Sequence, residues 1–177
     1  VFPGGGNYGT PSAKLKDWVR EGGCVVLLGS VNWAMGGEGG FFNLESARME
    51  GDTGMGYLPG SLFRAEIDTR LFLGFGYGTA TDKRQIAVPI DGSRFLKAKT
   101  DGSTVVALGG PDLKKTLTGW SWPDDTEKRV ANTAWAHVQR FGRGSVVAFT
   151  QDPAERALFP GLYKMLLNAM LFGARPN

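Results

Sequence analysis

The stretch Cys24-Val25-Val26-Leu27-Leu28-Gly29-Ser30-Val31-Asn32 decides how this chain is read. Its first five residues are apolar without a break, which is the length of a strand. A continuous apolar run implies a strand covered on both faces, as in the parallel sheets of α/β proteins. Gly29 to Asn32 then form a strand-to-helix corner, where such folds place their sites. Upstream, Thr10-Pro11 supplies an N-cap and a first helical residue, Leu15, Trp18 and Val19 share one helical face, and Gly22-Gly23 stops the helix. Val1-Phe2-Pro3 reads as the last residues of another strand, entering the turn Gly4-Gly5-Gly6. A lone strand end buries nothing, so the chain is expected to continue an element lying before Val1.

The region 36–60 is glycine-rich and weakly periodic, which suggests loops with one short helix near 43–49. Segments 62–67, 85–89 and 104–108 have strand patterning, and 109–122 is rich in turn residues. Segments 134–141 and 145–150 read as a hairpin joined by Gly142-Arg143-Gly144. Asp152-Pro153-Ala154-Glu155 has the residues of a helix-starting capping box. Leu162, Met165, Leu166, Ala169 and Met170 make a helical stripe that Gly173 closes. There is no internal repeat and no dividing linker. The expectation is one α/β domain over residues 1–177: a three-layer, mostly parallel sheet with β-rich insertions, truncated on its N-terminal side.

Composition narrows the chemistry. Hydrophobic residues make up 42% of the 177 and charged residues 21%, a globular balance. The net charge of +3 comes from 20 basic and 17 acidic residues, scattered along the chain, so no nucleic-acid or membrane footprint stands out. The apolar runs are too short to span a bilayer, and Val1-Phe2-Pro3 does not open a signal peptide. With one Cys and one His, the chain has no internal disulfide, no cysteine-rich zinc site and no two-histidine metal motif.

Few residues are left to carry chemistry. Ser30 stands at the corner, where a nucleophile could use nearby backbone N–H groups as an oxyanion hole, but Leu28-Gly29-Ser30-Val31-Asn32 does not match G-x-S-x-G. The bland reading is a hydroxyl that caps a turn. Cys24 begins the strand and so lies at its far end from the corner, as a buried inert thiol would. His137 lies in an alternating segment that puts Trp135, His137 and Gln139 on one face and Ala136 and Val138 on the other. Its default role is that of a hydrogen-bonded strand histidine; as a base it would need contact with Ser30 or Cys24. Gly4, Gly5 and Gly6 could present amides to an anion, although a tight turn explains them equally well. Asp152 is a further candidate acid that the capping box already accounts for. Asp124, Asp125 and Glu127 lie beside Trp120 and Trp122, where a calcium or sugar contact competes with the commoner solvated loop.

Taken together, Val1-Phe2-Pro3-Gly4-Gly5, the helix ending Trp18-Val19-Arg20-Glu21-Gly22-Gly23 and the strand Cys24 to Gly29 resemble class I glutamine amidotransferase-like, flavodoxin-like domains. The rest resembles the amidotransferase-like domain at the C-terminal end of bacterial M14-family zinc carboxypeptidases. That likeness rests on Pro59-Gly60-Ser61-Leu62-Phe63-Arg64-Ala65-Glu66-Ile67-Asp68, Leu73-Gly74-Phe75-Gly76-Tyr77-Gly78 and Gly119-Trp120. It continues in Phe141-Gly142-Arg143-Gly144-Ser145-Val146-Val147-Ala148-Phe149, Asp152-Pro153, Arg156 and Lys164 to Gly173, including Leu167-Asn168-Ala169. The departures are specific. A working amidotransferase would carry its Cys where Gly29-Ser30 stands, and its late His is missing around Val147 to Gln151. The resemblance therefore implies a degenerate, non-catalytic accessory domain, the C-terminal part of a larger protein. It implies a peptidase domain of the same polypeptide as partner, zinc held in that domain and none here, and an extracytoplasmic location. The alternatives are a free-standing hydrolase using Ser30, His137 and Asp152 with Gly4 to Gly6 as oxyanion donors, and a carbohydrate- or cell-surface-binding module. The latter would stack ligand on Trp33, Trp120, Trp122 or Trp135.

Overall fold

The computed structural model describes residues 1–3, 8–30, 32, 35–36, 38–42, 44–46, 57–79, 83–92, 95–98, 102–109, 115–122 and 126–174. Its helices are α1 (Ala13–Arg20), α2 (Thr126–Val130) and α3 (Pro160–Phe172), with 3-10 turns at Phe72–Gly74 and Glu155–Ala157. Its strands are β1 (Cys24–Leu28), β2 (Leu44–Ser46), β3 (Leu58–Asp68), β4 (Lys83–Gly92), β5 (Leu96–Ala98), β6 (Gly102–Leu108), β7 (Thr116–Thr118), β8 (Ala134–Phe141) and β9 (Gly144–Phe149).

The apolar run becomes β1, and its neighbours explain its composition. β9 lies parallel to it with Val26 opposite Val147, and Phe2 makes a parallel bridge to Leu27. Val26, Leu28, Val147 and Phe149 join one core cluster, while Val25, Leu27, Val146 and Ala148 join another. Alternate residues of a strand point to opposite faces, so this edge of the sheet is buried on both sides. Val19 and Leu15 of α1 pack into the second cluster, and Leu162, Met165 and Ala169 of α3 into the first. One helix thus covers each face.

Elsewhere the pattern changes and so does the pairing. β3 buries Phe63, Ala65 and Ile67 while Arg64 and Glu66 stay exposed, the alternation of a strand with one wet face. The sheet runs β1-β9-β8-β6-β3-β4, with β2, β5 and β7 attached at its margins. Among the described residues, every pairing other than that of β1 with β9 and the Phe2 bridge is antiparallel. The architecture is mixed α/β, and the expected mostly parallel sheet is corrected to a mostly antiparallel one. The parallel portion is limited to the edge where the sequence lacks alternation.

The β8–β9 hairpin forms as its sequence requires, with Phe141 opposite Gly144. Gly142 has φ 65°, and a Cβ there would come within 2.8 Å of the backbone of Arg20, so conformation and space both demand glycine. Three local expectations change. Helix α1 is capped by the Ser12 side chain, which accepts from Leu15 N–H, and not by Thr10. The short helix expected near 43–49 is strand β2 over its described part, paired to β5. The final helix begins at Pro160, because Asp152 accepts from Ala154 N–H to close a separate turn. Along α3 the buried side chains are Leu162, Met165, Asn168 and Ala169. Asn168 is held inward by donating to the carbonyls of Leu73 and Phe75. Leu167, Met170 and Leu171, the last 72% exposed, are left on the outer surface.

Candidate functional site

The corner after β1 is built by the chain direction itself. Gly29 adopts φ 59°, and its N–H still donates to the Phe149 carbonyl at 2.9 Å, so the turn begins at the last rung of the parallel ladder. Ser30 follows and is exposed. The residue that organises the corner is Asn32, which is fully buried. Its side-chain amide donates to the carbonyls of Gly29 and Phe149, at 2.8 and 2.6 Å, and so clamps the ends of β1 and β9 together. Its Oδ1 is buried without a hydrogen-bond partner. The sequence signal was an Asn just past a strand-to-helix glycine, a residue type that readily bonds local backbone.

His137 is not at that corner. It faces Ala148 across the β8–β9 ladder, and Ala148 faces Leu27 across the β9–β1 ladder. Two strand spacings across and two to three residues along put the backbones of Ser30 and His137 on the order of 12 Å apart. A serine–imidazole hydrogen bond cannot span that gap. His137 is also 1% exposed, whereas Ser30 faces solvent. Burial pushes the imidazole below its ordinary value, partly offset by a hydrogen bond with the Gln139 side chain, and its Nδ1 has no partner. Trp135 does not share the His137 face as the alternation implied. An irregularity in β6–β8 pairing between Val106 and Ala107 breaks the period, and Trp135 packs with Phe149 in the first cluster.

Cys24 sits at the opposite end of β1 from Ser30. Its Sγ lies under the end of α3, 3.9 Å from the Ala169 carbonyl, and takes a 3.5 Å bond from the Ser145 hydroxyl. Burial raises its thiol above the ordinary value, more than the Ser145 contact lowers it. This is a half-buried thiol whose burial favours the neutral form over the nucleophilic thiolate. Asp152 is half-buried in its turn, bonded to the Ala154 amide. Gly4, Gly5 and Gly6 lie outside the described residues, as do Trp33, Asp124 and Asp125.

The remaining candidates separate cleanly. Trp135 is a core residue whose indole N–H donates to the Pro89 carbonyl. Glu127 is not available to a ligand: it accepts from the amides of Lys115 and Thr116 and from the Thr116 hydroxyl, and it faces the Lys115 ammonium. Trp120 is exposed and Trp122 half-buried, with their rings edge to face. Among the described residues, no three His, Cys, Asp or Glu side chains gather as metal ligands, and no helix is long and apolar enough to cross a membrane. The sheet register therefore holds His137 two strands away from Ser30, and Cys24 lies at the other end of β1 from it. Comparison of the chain with protein-family models, with curated proteins and with solved structures gives no match.

Proposed function

We propose that this chain is a non-catalytic accessory domain that packs against a catalytic domain of the same polypeptide, by resemblance an M14-type zinc carboxypeptidase working outside the cytoplasm. On this reading its fold is a degenerate, three-layer amidotransferase-like one, with β3, β4, β6 and β7 as insertions. The observation that carries the non-catalytic part is the separation of Ser30 from His137, with the imidazole buried. A nucleophile needs a base within hydrogen-bond reach and a base needs access to the proton it takes. The packing part is supported by α3. Its inner face already fills the core, yet Leu167, Met170 and Leu171 lie on its outer face, where a stable contact would remove them from water.

The test expresses the remainder of the reading frame separately and mixes it with this chain. Association is expected, and the double substitution Leu167→Lys, Leu171→Lys should abolish it while changing stability by no more than about 0.5 kcal/mol. A reading frame without a peptidase domain, or association that survives the substitutions, would overturn the proposal.

A further inference from the structure

At the end of the sheet where β3 begins and β4 ends, exposed aromatic rings stand beside polar side chains in a connected strip. Tyr57 is 57% exposed and Trp120 54%. Trp122 joins them: its indole N–H donates to the Tyr57 carbonyl at 3.0 Å, and its ring meets that of Trp120 edge to face at 5.7 Å. The neighbouring Asp91 carboxylate raises the Tyr57 hydroxyl above its ordinary value, and the Gln151 side-chain amide donates to the Asp91 carbonyl at 2.7 Å.

The strip is rigidly mounted. Gly119, with φ 95°, approaches Ser61 so closely that a Cβ would lie 2.6 Å from its hydroxyl oxygen, and that buried hydroxyl donates to the Trp120 carbonyl. The Trp122 amide donates to the Thr126 hydroxyl at the start of α2. These bonds fix the backbone that carries the two indoles, so less order has to be imposed when a ligand arrives.

We propose that Trp120, Trp122, Tyr57, Asp91 and Gln151 form a binding platform for a neutral oligosaccharide. The two indoles meet edge to face, which leaves no cleft between them to enclose a cation. The exposed rings of Trp120 and Tyr57 offer surfaces of the kind that stack against the C–H face of a pyranose. The hydrogen-bonding balance points the same way. The Trp122 N–H is engaged internally. The Asp91 carboxylate and the Gln151 side-chain oxygen retain capacity to accept, and the second Gln151 N–H retains capacity to donate. Sugar hydroxyls donate and accept and so match all three, whereas a polyproline backbone has no N–H and can only accept. The platform lies on different elements from α3 and does not depend on the packing role proposed for that helix.

The test is isothermal titration of the whole chain with cellohexaose, with chitohexaose and with decaproline. Saturable binding of at least one hexasaccharide is expected. Trp120→Ala should weaken it about tenfold or more, the loss of roughly one stacking contact. Asp91→Asn should weaken it several-fold. Trp18→Ala, which removes an exposed tryptophan on α1, should leave it unchanged. Thermal melts of each variant establish that it is folded. No binding of either sugar up to about 10 mM, binding indifferent to Trp120→Ala, or decaproline binding in place of the sugars would each overturn the proposal.

Discussion

Glu127 holds Lys115 by its backbone and its side chain together. One carboxylate oxygen accepts from the Lys115 amide at 2.9 Å and faces the Lys115 ammonium at 3.6 Å; the ammonium also donates to the Glu127 carbonyl at 3.3 Å. The other oxygen takes the Thr116 amide at 3.0 Å and the Thr116 hydroxyl at 2.7 Å. A lysine only 1% exposed is thereby compensated, and β7 is fastened to α2.

This arrangement makes the fold acid-sensitive in a definite window. Burial alone would raise the Glu127 carboxyl, but the Thr116 amide and hydroxyl, the Lys115 amide and the Lys115 ammonium together hold it below its ordinary value. A carboxyl whose folded value is depressed contributes stability above its unfolded value and loses it as pH falls through the folded one. Glu127→Gln should cost about 2 kcal/mol at pH 7 in urea unfolding. Its stability should also fall less steeply than that of the wild type below about pH 4.5.

His137 gives a second, separate window. Its imidazole is held neutral by burial, so the unfolded chain binds a proton more readily than the folded one. Stability should therefore decline as pH drops below the unfolded histidine value of about 6.5. In His137→Leu that decline should vanish between about pH 6.5 and 5, while the region governed by Glu127 is untouched. Chemical unfolding at several pH values measures both.

The thiol of Cys24 supplies a third test. Packed under α3 and raised by burial, it should react with iodoacetamide at pH 7.5 about 100-fold more slowly in the native chain than in urea, as followed by intact mass. Gly173→Ala should accelerate that labelling, because a Cβ there would lie 2.4 Å from both the Cys24 sulfur and the Ala169 carbonyl.

The sequence was most legible where local pattern and tertiary environment agree. The unbroken run of β1, the hairpin turn at Gly142-Arg143 and the alternation of β3 each carry their own periodicity. Pairing direction was not legible, because strand composition reports how many faces are buried and not which way a neighbour runs. The parallel character of β1 and β9 was therefore extended too far. Residues 152–155 have the composition of a helix start, but Asp152 closes its own turn and the helix waits for Pro160. Asn168 and Lys115 escaped sequence reading because each is a polar residue buried by partners distant in the chain, and of the two partners of Asn32 only the local Gly29 was legible. Ser30 was correctly placed at the strand corner, yet its distance from His137 depends on the order β1-β9-β8, which no local signal carries.

The proposed non-catalytic role requires that Ser30 and His137 do not act as a nucleophile–base pair, as their separation across β1-β9-β8 implies. The most direct measurement is to incubate the native chain with a biotinylated fluorophosphonate, which captures activated serines, and to map any adduct by peptide mass spectrometry. The account predicts no adduct at Ser30 beyond that formed by the urea-unfolded chain. A stoichiometric adduct at Ser30 that is lost in His137→Leu would contradict it, because it would require the imidazole to reach a hydroxyl from which the sheet register separates it.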